Sequence, residues 1–168
     1  MRTPRATRGF PIPMEIRAAQ PDDADVIKAF DEIALVDATR VAFVDRSIGS
    51  GECFVLVVDG RVVAYAVLNY TFYGRGFVYT LYVQREFRRR GFGSALMSHI
   101  EHLCYTPQLY TSTNQSNKPM QTLLTKLGYH PSGVIEDLEE GDPELVFMKR
   151  LEGRSYLALA RSRPADEP

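Results

Sequence analysis

The chain predicts an α/β fold of the α+β, mixed-sheet kind: a central, mostly antiparallel sheet flanked by four helices. Three observations carry this. Cys53–Val58 and Val62–Tyr70 are dense in β-branched and aromatic residues, and Asp59-Gly60 between them is the two-residue signal of a tight hairpin. Apolar residues recur at three- and four-residue spacing in Ala34–Ile48, after Gly91 and after Asn117, which is the period of amphipathic helices. Between these segments, Val78–Met97 reads as a strand, an arginine turn bearing two glycines, and the start of a helix.

In chain order, residues 1–13 are expected to form a flexible tail. Arg2, Arg5 and Arg8 are followed by no apolar stretch, so the tail does not read as a secretory signal, and Met14 is an alternative start. Glu15–Ala19 suits a short strand. Gln20-Pro21-Asp22-Asp23 then opens a helix to about Ile33, with proline in its first turn and acids near the positive end of its dipole. A second helix over Ala34–Ile48 places Ala38, Val41, Val44 and Ile48 together, with Asp37, Arg40, Asp45 and Arg46 elsewhere, and Gly49-Ser50-Gly51 ends it. The hairpin strands follow, then a turn at Tyr73–Phe77 and a fourth strand over Phe77–Val83.

The third helix is expected from near Gly91 to about Cys104, with Phe92, Leu96, Ile100 and Leu103 along one face and Pro107 closing it. Gln108–Ser112 is a short strand and Thr113–Asn117 a polar loop. Asn117 is placed to cap a fourth helix that opens with Lys118 and Pro119. Met120, Leu123, Leu124 and Leu127 line one side of it, and Gly128 is the stop. Tyr129–Asp137 and Glu144–Leu151 form a last strand pair around Glu139–Pro143. Residues 14–151 thus read as a single domain, with a C-terminal tail over 152–168.

At 168 residues the chain is long enough to bury a core without disulfide or metal staples. Hydrophobic residues make up 45% and charged residues 24%, and no apolar run approaches the ~18 residues of a membrane span, so no membrane role is expected. Twenty Lys and Arg against 21 Asp and Glu give a net charge of −1, which argues against nucleic acid as a partner. Cys53 and Cys104 sit in no CxxC pair, so a reduced, cytoplasmic setting is expected and both read as core or edge thiols rather than nucleophiles. His99 and His102 share a helical spacing but lack a third ligand, and no metal is expected.

The arginine turn is an anion-binding design. A helix starting near Gly91 leaves its first amides without intrahelical partners, and its dipole adds to the charge of Arg88, Arg89 and Arg90. Gly91 and Gly93 let the backbone approach phosphate oxygens closely. A dinucleotide-binding G-x-G-x-x-G is excluded, because Leu96 occupies the third glycine position and the preceding strands form hairpins. The aromatic run Tyr65, Tyr70, Phe72, Tyr73, Phe77, Tyr79, Tyr82 is first a packing pattern. The acids Glu136, Asp137, Glu139, Glu140, Asp142 and Glu144 form a solvated turn that would also attract a cationic amine.

Arg88-Arg-Arg-Gly91-Phe-Gly93 matches a Q/R-x-x-G-x-G/A loop, with Leu81-Tyr82-Val83 as the strand before it and Ser94–Met97 as the helix after it. Asn117 lies upstream of Gly128-Tyr129 as in an N-(x)n-L-G-F/Y element. In these motifs and in its element order the chain, over Glu15–Leu151, resembles the GNAT family of N-acetyltransferases. That resemblance implies an acyl-CoA N-acyltransferase fold with the sheet splayed between strands four and five near a bulge, and acetyl-CoA as acyl-donor cosubstrate. By the same resemblance, Arg88, Arg89, Arg90, Gly91, Phe92, Gly93 and Ser94 would hold the pyrophosphate. Leu81, Tyr82 and Val83 would pair with the pantetheine arm, Asn117 would offer its amide to that arm, and the Leu81 or Tyr82 backbone N–H would serve as oxyanion donor. The acceptor would be a primary amine of a small molecule or peptide attacking the thioester directly, entering beside the first two helices and the last strand pair. Dimerisation, common in the family, is a further expectation.

The sequence departs from that pattern in two places. Many relatives keep a tyrosine four residues before the helix-four glycine, where this chain has Leu124, and many keep a base early in strand four, where it has Phe77 and Tyr79. Tyr79, through water, and Ser116, toward the thiolate, are the substitutes the sequence offers. A non-catalytic acyl-CoA-binding or regulatory module is the alternative reading.

Overall fold

A computed structural model of the chain describes residues 13–155. The expected N-terminal tail up to residue 12 and the C-terminal tail from residue 156 lie outside the described residues. The described elements are β1 (Met14–Ala18), α1 (Asp23–Phe30), α2 (Ala38–Gly49), β2 (Cys53–Val58), β3 (Arg61–Phe72), β4 (Arg75–Val83), α3 (Phe92–Leu103), β5 (Gln108–Asn114), α4 (Lys118–Lys126), β6 (His130–Ile135) and β7 (Glu144–Arg150). A single 3-10 turn at Arg85–Phe87, absent from the sequence reading, leads into the arginine turn.

One seven-stranded sheet runs β1-β2-β3-β4-β5-β7-β6. Every neighbouring pair is antiparallel except β4 and β5, which run parallel because α3 crosses between them. The Asp59-Gly60 hairpin forms as expected, with both residues at positive φ, 49° and 75°. β3 is buried almost without interruption from Val62 to Asn69, since helices cover both of its faces. Leu56, Ala66, Leu68 and Val78 pack against Leu96, Met97 and Ile100 of α3 and Leu124 of α4. On the other face, Val55, Tyr65 and Val67 pack against Ile27 of α1 and Val44 and Ile48 of α2.

Three helix expectations are corrected. α1 stops at Phe30 rather than Ile33 because the Asp31 carboxylate turns back to accept the Ile33 N–H at 3.0 Å, an Asx turn that competes with further helix. α2 starts at Ala38 rather than Ala34, where Asp37 caps the Thr39 N–H at 2.8 Å. In α3 the buried face is Leu96, Met97 and Ile100, while Leu103 is 43% exposed. β5 also runs two residues further than expected, to Asn114, drawn out by its ladder with β7 from Gln108↔Arg150 to Asn114↔Glu144.

Two irregularities shape the centre of the sheet. Val67 pairs with Thr80 but Leu68 pairs with Val78, so Tyr79 is an extra residue, a β-bulge. Two successive residues therefore face α1 and α2: Tyr79 lies against Phe43 with ring centroids 4.6 Å apart, and the Thr80 hydroxyl accepts from Arg40 Nη1 at 2.9 Å. The parallel β4–β5 pairing spans only Gly76↔Leu109, Phe77↔Tyr110 and Val78↔Thr111. Thr111 Oγ1 donates to the Val78 carbonyl at 2.9 Å, and beyond that point the strands diverge into a fork.

Candidate active site

The open edge of the fork follows from hydrogen-bond alternation. Gln84 N–H donates to Val63 O at 2.8 Å, and the same register pairs Tyr82 with Tyr65 and Thr80 with Val67. In an antiparallel ladder bonded and non-bonded residues alternate, so the main-chain groups of Thr80, Tyr82 and Gln84 serve β3 while those of Leu81 and Val83 point into the fork. Of the two backbone donors read from the sequence, Leu81 N–H therefore faces the opening and Tyr82 N–H does not. The Tyr82 side chain instead lies on the α1 face, where its hydroxyl donates to Glu32 Oε2 and accepts from Glu32 N–H, both at 3.1 Å.

α3 brings its N-terminus to this same edge. Gly91, at φ 83°, turns the chain into the helix, and Arg89 is also at positive φ, 64°. The first bond of α3 is Ala95 N–H to Gly91 O, so the amides of Phe92, Gly93 and Ser94 precede any intrahelical partner, and no side chain caps them. A Cβ built on Gly93 would lie 3.8 Å from Leu81 and Val83 and 3.4 Å from Leu123, which shows how tightly this turn sits on β4 and α4. Free donors at a helix start, a backbone strip left open by the fork, and local positive charge make a cradle for an extended ligand with phosphate at one end.

The three arginines do different things. Arg88 folds back as a clasp: its Nε donates to Val83 O at 2.9 Å, its N–H donates to Arg85 O at 3.3 Å, and its guanidinium lies 5.4 Å from the Tyr82 ring centroid. Its side chain is thus committed to the strand rather than turned to the amide cradle. Arg90 covers the Phe87 ring at 5.3 Å, and both Arg89 and Arg90 are exposed. Arg85 pairs with Glu32 at 2.9 Å, which ties the α1–α2 connection to this turn.

The remaining candidates are less uniform. Asn117 caps α4, accepting from Met120 N–H at 3.2 Å, which leaves its amide nitrogen for a ligand. The Ser116 hydroxyl donates to Asp142, so it does not hold a proton free for a departing thiolate. Leu124 is wholly buried in the core and supplies no acid. Burial pushes the Cys53 thiol up to about 12, well away from nucleophile behaviour. Among the described residues, no group of three or more His, Cys, Asp or Glu is arranged to hold a metal.

On the α1–α2 face of the fork lies a cleft of about 370 Å³. Phe72, Phe77 and Tyr79 wall it from β3 and β4, and Ile135, Leu138 and Val146 from the last hairpin, with Thr71, Ser112 and Glu144 as its polar members. Tyr79 thus lines this cleft, half exposed. Beneath the bulge is a network that the sequence reading missed. Asp31 is fully buried and accepts from the Tyr65 hydroxyl and from Arg40 Nε at 2.8 Å, while Arg40 reaches Thr80. Burial alone would raise the Asp31 pKa, but the Tyr65 hydroxyl and the Arg40 guanidinium hold it below the ordinary value. Arg40 precedes the buried Val44 by four residues, and that shared helix face was the available signal.

A model of the acetyltransferase (GNAT) family matches residues 19–129. Among solved structures, a GNAT-family acetyltransferase from Bacillus cereus ATCC 10987 is 30% identical over 82% of this chain and 96% of its own, with a TM-score of 0.76. The ribosomal-protein-S18-alanine N-acetyltransferase of Escherichia coli shares the fold at 15% identity, covering 86% and 97%, with a TM-score of 0.72. So does yncA from Salmonella typhimurium, solved with its cofactor acetyl-CoA, at 19% identity over 84% and 96% with a TM-score of 0.68. No curated protein matches the chain.

Proposed function

The chain belongs to the acetyltransferase (GNAT) family, and from that premise we propose that it is an acetyl-CoA-dependent N-acetyltransferase acting on a primary amine of a small molecule or peptide. The observation that supports this most is the coincidence of the open Leu81–Val83 edge with the uncapped N-terminus of α3 at one fork of the sheet. The Phe92, Gly93 and Ser94 amides, with Arg89 and Arg90 nearby, suit the pyrophosphate; Leu81, Val83 and the Asn117 amide nitrogen suit the pantetheine arm. Bound acetyl-CoA supplies a thioester activated toward amines.

The protein's part is orientation. Leu81 N–H is the donor aimed into the fork, and it is the residue proposed to meet the oxygen that gains negative charge. The bulge turns Tyr79 toward the cleft on the opposite face, so the amine arrives beside Tyr79 and its hydroxyl is the side-chain route proposed for passing a proton to solvent. Arg88 acts as a positioning residue that fixes the end of β4 through Val83 O. Direct transfer needs no covalent enzyme intermediate.

Isothermal titration tests the donor site. The wild type is expected to bind acetyl-CoA, and Gly91→Glu to lose binding, because a bulky anion then sits at the amide cradle. Gly91→Ala shares the positive-φ strain, about 1–2 kcal/mol, without the charge, and should retain binding. Gly91→Glu that still binds would refute the loop assignment. A second reading, a non-catalytic acyl-CoA-binding or regulatory module, draws on buried Leu124 and on Ser116 held by Asp142. Sustained thiol release from acetyl-CoA with an amine excludes it.

A further inference from the structure

The walls of the cleft specify more than an amine. Six of its lining residues are aromatic or aliphatic, and none is Lys, Arg or His. Its one carboxylate is Glu144, the first residue of β7, held in register between Asn114 on β5 and Ile135 on β6. Among the described residues the Glu144 carboxylate makes no hydrogen bond and no ion pair. Its acidic neighbours differ: Asp142 accepts from Ser116 and Glu139 from Asn114, while Glu136, Asp137 and Glu140 do not line the cleft.

An ammonium entering apolar walls loses water and needs a fixed counter-charge. A second ammonium on the same ligand would find no second carboxylate among the lining residues. At about 370 Å³ the space suits one compact apolar body. We propose that the acceptor is a primary monoamine carried on an apolar or aromatic body, and that Glu144 is the residue that binds its ammonium. This rests on the donor reading of the fork. Glu144 and Tyr79 border one cleft, so an amine held by the first lies on the acceptor face of the bulge. The overall step forms the N–C bond and breaks the C–S bond; of the two protons the ammonium gives up, one ends on the departing sulfur and one in solvent.

The test uses the full chain. Acetyl-CoA binding is measured first by calorimetry, then thiol release is followed with phenethylamine, hexylamine, lysine and spermidine. Phenethylamine and hexylamine should exceed spermidine in kcat/KM by roughly tenfold or more. Glu144→Gln should raise the amine KM by about 10–100-fold, as expected for loss of a charged hydrogen bond, with the KM for acetyl-CoA unchanged. Leu138→Ser, at a rim residue 66% exposed, cannot disturb the core and should raise the phenethylamine KM while the melting temperature stays fixed. Failure to bind acetyl-CoA overturns the donor reading and this inference falls with it. Acetyl-CoA binding together with a preference for spermidine, with no turnover of either apolar amine, or with an unchanged amine KM in both variants, overturns the acceptor assignment alone.

Discussion

Asp31 is fully buried and charged because Tyr65, Arg40 and the Ile33 amide all donate to it. Removing one partner of such a group leaves the other uncompensated, so Asp31→Asn should cost about 3–5 kcal/mol in urea denaturation. The acid sensitivity has a definite sign. The folded pKa of Asp31 is below its unfolded value of about 3.9, so its contribution is complete above that value and is lost as pH falls toward the folded pKa. Stability measured from pH 6 to pH 2 should therefore fall more steeply in the wild type than in Asp31→Asn. This network was only partly legible: Arg40 stands four residues before Val44 on one helix face, but its charge set it among the polar residues. Its guanidinium is drawn inward by an aspartate on another element, and a single-sequence period does not encode that pairing. Gly91, by contrast, was legible, since glycine is the residue that takes the positive φ of this turn without steric cost.

Among the elements, the short β4–β5 joint is the most exacting. Gly76 opens it, donating its N–H to Thr106 Oγ1 at 2.9 Å, and a Cβ there would press on Cys104 Sγ and lie 3.2 Å from Leu109. Gly76→Ala is expected to destabilise by about 1–3 kcal/mol through overpacking, read as a lower urea midpoint with an unchanged slope. The strands themselves were readable from β-branched and aromatic runs, and the hairpin from Asp59-Gly60. The bulge was available only through resemblance, and its place not at all, because Tyr79 is an extra residue only in relation to the register of β3. The fork was available only through resemblance, since no local pattern distinguishes a strand that diverges from its neighbour. Helix ends failed where side chains competed: Asp31 ended α1 early and Asp37 delayed α2.

At the scale of the whole molecule, a ligand that binds the native fork and not the unfolded chain stabilises everything joined to it. Acetyl-CoA at one hundred times its dissociation constant should add about 2.7 kcal/mol, a rise in melting temperature of roughly 5–10 °C for a domain of this size. Gly91→Glu should show no such rise. The three-residue joint carries a mechanical consequence. Among the described residues, strand pairing between the plate β1-β2-β3-β4 and the plate β5-β7-β6 passes only through Gly76, Phe77 and Val78. The sheet thus consists of two leaves joined by a narrow seam, one bearing the open edge and the other bearing Glu144. Native-state hydrogen exchange should resolve the leaves as separate opening units in the free protein and merge them into one when a ligand bridges the fork.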